Sequence, residues 1–328
     1  MAQNAVLTSG FSLPIANPRN IFQPHDVEAR LARLDQHNNE LRPMYERMLE
    51  LGPERFQVKP SGIPEMAALY EQMPNFTEAL DDLKRHVVLS QDSTDGIEIT
   101  PMLLLGPPGI GKTHFSKKIA DLLGTGMNLV SMSSMTAGWI LSGASSQWKG
   151  AKPGKVFEAL IEGKYANPVI LVDEVDKAGR DTQYDPMGAL YSLLEHDTAK
   201  HFIDEFAEVE IDASQIIWVL TANDERGIPD PIMNRMNVFE VKAPSFEAAR
   251  RIAFNMYVSI RDGHGWGKQF PPEPTNDVLD VLAKLGPREM RRALMEGFGN
   301  TRLGKRHIVM PEDLGKKSVE KTNIGFIQ

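Results

Sequence analysis

The chain has 328 residues, 41% hydrophobic and 24% charged, with 44 acidic side chains against 36 basic ones and a formal charge of -8. This composition excludes a chain that is disordered throughout and disfavours a strongly basic nucleic-acid binder, while leaving room for a local basic patch. Cysteine is absent, which excludes disulfides and thiolate metal sites.

Residues 1–24 mix Asn, Ser, Pro and scattered apolars, which predicts an irregular arm. Met1 to Pro14 has no basic start followed by a long apolar run, so it does not read as a secretory signal. No stretch approaches the ~18 apolar residues of a membrane helix. The expectation is a cytoplasmic protein without a membrane partner.

From Asp26 to about Leu51, Val27, Leu31, Leu34, Leu41 and Met48 fall on one helical stripe. Pro43 predicts a kink or two helices. The stripe packs on its own domain or contacts a neighbouring subunit. Gly52, Pro53, Pro60, Gly62 and Pro64 read as a breaker-rich hinge, and Phe76 to Leu89 as a helix.

Short apolar runs then alternate with helical segments. Met102–Leu105, Leu129–Met132, Val169–Val172 and Ile216–Leu220 suit strands covered on both faces. Thr113–Leu123 and Val156–Ile161 read as helices between them. The alternation predicts an α/β parallel sheet. Beyond Pro244, Phe246–Arg261, Thr275–Leu285 and Arg288–Gly297 read as helices, followed by a β run at Ile308–Met310. The division expected is an N-terminal arm and helical segment over 1–62, an α/β domain over 63–243, and a small, mostly helical domain with a tail over 244–328.

The sharpest signal is the run Gly106, Pro107, Pro108, Gly109, Ile110, Gly111, Lys112, Thr113, a phosphate loop in its proper setting, fed by a buried strand and leaving into a helix. The glycines let backbone N–H groups converge on an anion, and the helix N-terminus adds partial positive charge. Lys112 reaches the β and γ phosphates of ATP, and the Thr113 hydroxyl ligates Mg²⁺. Val169–Val172 then leads into Asp173 and Glu174. Asp173 suits holding Mg²⁺ through water, and Glu174 suits orienting the attacking water, because phosphoryl transfer needs positioning and charge neutralisation. Ile216–Leu220 leads into Asn223, placed to hydrogen-bond the same water or the γ-phosphate. Carboxylates elsewhere, such as Asp81–Asp82 and Asp204–Glu205, read as solvated faces.

With these motifs the chain resembles the AAA+ ATPases, and within them the ATPase module of Lon protease. Ile170–Lys177, then Asp185–Pro186 and Ala189–Glu195, are similar to the Lon segment after its second nucleotide motif. Phe202–Phe206, Asp212, Thr221–Asn223 and Ile228–Met236 continue the likeness, which covers roughly residues 64–315. The resemblance implies a P-loop AAA+ sheet domain followed by a small helical lid domain, with ATP bound between them. It implies that Arg235 is an arginine finger reaching the next subunit's nucleotide, and therefore a homo-oligomer, in the family usually a hexameric ring. Gly286–Arg288 resembles the second sensor, with Arg288 on the γ-phosphate and Arg291 and Arg292 one turn on. The segment Gln147–Gly154 resembles the one carrying the first pore loop, so Trp148, with Lys149 beside it, is implied to grip a protein substrate. Trp148 as loop packing and a basic loop stacking on single-stranded nucleic acid both stay open.

The chain ends at Gln328, where Lon continues into a protease domain, so no proteolysis by this chain is expected. The tail motif Ile324, Gly325, Phe326 resembles a docking loop for a separate protease or effector, or tucks onto its own subunit. The resulting expectation is an ATP-hydrolysing motor of the Lon type that remodels protein. The alternatives are a nucleotide-controlled assembly scaffold and a nucleic-acid-linked ATPase.

Overall fold

The computed structural model describes residues 14–35, 38, 40–132, 139–178 and 185–315. The motif at 324–326 and most of the N-terminal arm lie outside them. By its own contacts the chain forms two compact units. One comprises the residues up to Glu65, Asp81–Leu105 and Thr113–Glu240, and the other Met66–Leu80, Gly106–Lys112 and the chain from Val241.

In the first unit, the part of the arm that is described is regular. Strand β1 (Pro14–Asn20) pairs antiparallel with β2 (Glu54–Pro60), from Pro14 opposite Pro60 to Asn20 opposite Glu54. This corrects both the irregular arm and the hinge. Pro14 and Pro60 face each other at one end of the ribbon, and β1 pairs with no second strand among the described residues, so its prolines are tolerated; the other edge of β2 bonds backbone at Lys164 and Ala166 through Phe56. Helices α1 (Pro24–Arg33) and α2 (Leu41–Leu51) follow β1. The break precedes Pro43 and is made by Asn38, whose Oδ1 accepts the Leu41 N–H at 2.8 Å. Pro43 sits in the first turn of α2, where its missing N–H has no intrahelical partner to lose. The apolar stripe packs on its own unit: Val27, Tyr45 and Met48 are buried in the sheet's core, with Leu31, Leu34 and Leu41 against it.

Three buried polar side chains fasten β2 to this unit. Arg55 donates to the carbonyls of Leu160 (2.8 Å) and Ile161 (2.5 Å), in the helical turn Glu158–Glu162, near the end where carbonyls run out of intrahelical donors. Lys59 donates to the carbonyls of Ser90, Ser93 and Asp95, each at 2.7 Å. Asn167 brackets Val58, accepting its N–H at 2.9 Å and donating to its carbonyl at 2.7 Å.

The main sheet contains β3 (Met102–Leu105), β4 (Met127–Ser131), β5 (Val169–Asp173), β8 (Ile217–Ala222) and β9 (Asn237–Glu240). Its order is β4-β5-β8-β3-β9, with every pairing parallel. A short hairpin, β6 (Phe202–Ile203) with β7 (Glu210–Ile211), lies outside it. β8 is buried at every residue, and β5 at all but Asp173. Helix α3 (Thr77–Leu89) precedes β3, and α4 (Lys112–Leu123) joins β3 to β4. Two carboxylates read as solvated are buried instead. Asp82 pairs with Arg85 and His86, and Asp204 accepts backbone N–H groups.

The second unit is built on α5 (Phe246–Asp262), α6 (Asn276–Leu282) and α7 (Pro287–Leu303). Ser245 and Thr275 cap the first two, accepting the N–H groups of Ala248 and Val278. Its core brings together Tyr257, Phe270, Met290, Leu294 and Phe298. The expected β run at 308–310 is not a strand. Asp313 accepts from Met310 N–H at 2.9 Å and Thr301 Oγ1 at 2.8 Å, folding the segment into a turn that buries Val309.

Replacing Asn167 with Ala strands both backbone groups of Val58 in a buried place. It is expected to lower stability by about 2–4 kcal/mol, seen as a lower urea midpoint at unchanged slope.

Candidate functional site

In a parallel sheet the loops leaving the C-terminal ends of the strands share one edge, where such folds carry their ligand sites. β5 ends at Asp173 and β8 at Ala222, with Val172 opposite Leu220. β3 lies on the other side of β8, with Leu105 opposite Ala222, and the chain leaves Leu105 directly into the phosphate loop. The strand ends carrying Asp173, Glu174 and Asn223 are therefore neighbours, and the strand feeding the loop is the next one along.

One residue organises that edge without having been singled out from sequence. The Thr221 hydroxyl donates to Asp173 Oδ1 at 2.5 Å and accepts the Glu174 N–H at 3.0 Å. Glu174 stands in the left-handed region, at φ 58° and ψ 47°. That conformation costs a residue with a Cβ roughly 1 kcal/mol and turns the chain sharply after β5. Asp173, Glu174 and Asn223 are all half-buried.

Within the second unit, Gly109 and Gly111 take φ of 81° and 105°, and a Cβ on Gly106 would stand 2.1 Å from the Val241 carbonyl oxygen. Glycine is thus required along the loop by backbone conformation and by close approach. Pro107 and Pro108 are exposed and Ile110 is buried. The ammonium of Lys112 is held over the loop, donating to the carbonyls of Gly106 and Pro107. Thr113 is exposed in the first turn of α4. Arg288 is exposed in the first turn of α7, started by Gly286 and Pro287. A Cβ on Gly109 would lie 3.7 Å from that of Arg288, so this arginine stems from beside the loop. Arg291 and Arg292 are also exposed.

Arg235 lies at the opposite edge of the sheet. It precedes the first residue of β9 by two positions, and Asn237 is opposite Met102, where β3 begins. Its guanidinium is therefore at the far end of the strands from Asp173 of the same chain.

Trp148 and Lys149 stand exposed at the tip of a loop. The tip turns through bonds from Trp148 N–H to the Ser145 carbonyl and from Ala151 N–H to the Trp148 carbonyl, both 3.0 Å. Trp139 meets Trp148 edge to face at 4.9 Å. The feet of the loop are tied together, with Ala144 N–H on the Lys152 carbonyl and Lys155 N–H on that of Ile140. Asp204, fully buried, completes the tie. It accepts Gly154 N–H at 2.8 Å, Phe206 N–H at 2.9 Å and Ala207 N–H at 3.0 Å. Burial raises the Asp204 carboxyl to about 6 despite these donors.

Residues 102–243 match the family described as "ATPase family associated with various cellular activities (AAA)". Over these residues the chain is similar to AAA ATPase domains, a class that binds and hydrolyses ATP. Its relatives include Lon protease 2 of Hydrogenovibrio crunogenus, 33% identical over 225 residues, 66% of this chain and 26% of that protein. Lon protease of Chlamydia trachomatis is 34% identical over 212 residues, 62% of this chain and 26% of that protein. The chain thus spans about a quarter of the length of these two relatives. Among solved structures, the RuvB Holliday junction branch migration motor of Thermotoga maritima shares the fold. Its TM-score is 0.52 at 17% identity, covering 81% of this chain and 74% of that one. No helix among the described residues is long and apolar enough to cross a membrane.

Asp204 gives the protein a pH signature. Its native carboxyl binds a proton up to about pH 6, whereas an unfolded Asp titrates near 3.9. Between these values the native state holds more protons, so the Asp204 contribution is full below about pH 4 and is lost as pH rises through 6. It amounts to on the order of 3 kcal/mol. Asp204→Asn is expected to flatten stability between pH 4 and 6, as read by urea midpoints across that range.

Proposed function

We propose that this chain is the ATP-driven motor subunit of a Lon-type machine, moving a protein substrate through a ring of its own copies. The observation that carries the reading is the shared edge of β5, β8 and β3, where Thr221 fixes Asp173 and Glu174 beside the strand that feeds the phosphate loop. In this reading Gly106–Gly111 and Lys112 cradle the phosphates of ATP, and Asn223 bonds the γ-phosphate or the attacking water. Thr113 and Asp173 are hard oxygen donors of the kind Mg²⁺ takes. Bound there, Mg²⁺ supplies neutralisation of charge on the β and γ phosphate oxygens. Glu174 accepts a proton from the attacking water and aims it, and its backbone N–H, held by Thr221, keeps the side chain at one bearing. Arg288 reports the γ-phosphate from beside the loop.

Arg235 stands at the edge of the sheet away from its own Asp173, where an arginine serves a neighbouring copy better than its own site. A homo-oligomer follows from that role, and a hexameric ring, usual in the family it resembles, is its proposed form. Trp148 and Lys149 grip the substrate, with Trp148 presenting an exposed aromatic surface on a loop held at both feet. In this reading the chain supplies movement driven by ATP, and a separate protease or effector is a partner it could serve.

Glu174→Gln is expected to bind ATP with unchanged affinity while turnover falls about 100-fold or more, within the range for a positioned proton acceptor. Full turnover in that variant rules out Glu174 as the residue that prepares water. Lys112→Ala is expected to weaken nucleotide binding itself, measured by titration with a fluorescent ATP analogue. Mixing Glu174→Gln with Arg235→Ala subunits is expected to restore part of the activity, because some interfaces then join the intact Glu174 of one subunit to the intact Arg235 of the next. Trp148→Ala is expected to spare basal hydrolysis and abolish remodelling of an unfolded protein. No effect of Trp148→Ala, with Arg235→Ala abolishing assembly-linked signalling, points to the scaffold reading instead, and strong salt-dependent stimulation by DNA or RNA points to a nucleic-acid motor.

A further inference from the structure

We infer that Glu195, with Tyr191, is a positioning device for Arg235, holding its guanidinium as a preset cation for the phosphate of a neighbouring copy. The inference rests on the trans role proposed above for Arg235 and adds the residues that make that role geometrically possible.

Arg235 is not a loose surface side chain. Its Nε lies 2.7 Å from Glu195 Oε1, an ion pair whose N–H is not aimed at the oxygen. One Nη1 hydrogen goes to the Pro231 carbonyl at 2.5 Å. The guanidinium carbon stands 5.9 Å from the centre of the Tyr191 ring. A guanidinium has five donors in a rigid fork. These contacts occupy Nε and one Nη1 hydrogen, and among the described residues none engages Nη2, whose hydrogens suit a phosphate oxygen.

The tether is itself rigid. The Glu195 carbonyl accepts Ala199 N–H at 2.9 Å, so its backbone is the start of the short helix His196–Ala199. Arg235 follows the short helix Asp230–Met233 and is fixed through its own N–H to the Ile232 carbonyl at 3.1 Å. The ion pair borders a polar cavity of about 330 Å³ that also takes in Glu98, His196, Gln215 and Asn234. Side-chain exposure is 25% for Arg235 and 47% for Glu195. An ion pair so open to water adds little to stability, so stability alone is a poor account of it. Pre-setting a cation where charge develops is a direct catalytic gain, because no reorganisation is then needed at the moment of reaction.

The test is a double-mutant cycle in single-turnover ATPase assays, which follow slow variants. Glu195→Gln removes the charge and keeps the shape. It is expected to lower the single-turnover rate at saturating ATP about 10-fold, a fraction of the full effect of an arginine finger, with the half-saturating ATP concentration and self-assembly unchanged. In an Arg235→Ala background the same substitution is expected to have no further effect, since there is no guanidinium left to position. Wild-type rates for Glu195→Gln, or an equal fall in both backgrounds, overturn the positioning role while leaving Arg235 in place. Wild-type rates for Arg235→Ala alone place the failure in the arginine's trans role, and Glu195 loses its function with it.

Discussion

Thr221 occupies one place and meets two demands. As a donor it fixes the Asp173 carboxylate, and as an acceptor it takes the Glu174 N–H. Both bonds cross from β8 to β5, so they exist only if these strands are neighbours in the observed register. The register is set by burial: β8 has no exposed residue and β5 only half exposes Asp173 at its end. A one-residue slip would swap the faces of these side chains and carry the acids away from the hydroxyl. The chemistry at the edge and the packing inside the sheet are therefore one constraint.

The central strands were legible in the sequence because a strand covered on both faces is a continuous apolar run, as in Met102–Leu105 and Val169–Val172. β9 escaped because it is at the sheet's edge, where Asn237–Glu240 alternates exposure and has no such run. β1 and β2 escaped because proline usually argues against a strand, and only their pairing with each other makes it acceptable. The glycines and the acid pair of the nucleotide edge were legible because the chemistry restricts the residue types. Thr221, Asp204 and Glu195 were not. Each acts through a partner distant in sequence, Asp173, Gly154 and Arg235 respectively, and nothing local marks a Thr or an acid for such a task.

The N-terminal segment is part of the sheet's unit rather than an attachment to it. Arg19 pairs with Asp212 at 2.8 Å, Arg30 with Glu208 at 2.6 Å, and Tyr45 Oη donates to the Ala207 carbonyl at 2.7 Å. All three reach the stretch that runs on from Asp204. Tyr45 is buried, and loss of solvent raises its phenol above its ordinary range. The helices α1 and α2 thus brace the turn that Asp204 closes.

A loop tied this way has little give of its own. Gly154 and Gly143 have no room for a Cβ beside Asp204 and the neighbouring backbone, while Gly150 near the tip has nothing within 4 Å. Among the described residues, open space around the loop is found near its tip at Gly150, and the ties lie below it. If Trp148 takes the role proposed for it, a pull on that indole is carried through these ties to the Asp204 turn and the arm helices that brace it, as a tooth carries load to the wheel it is cut from.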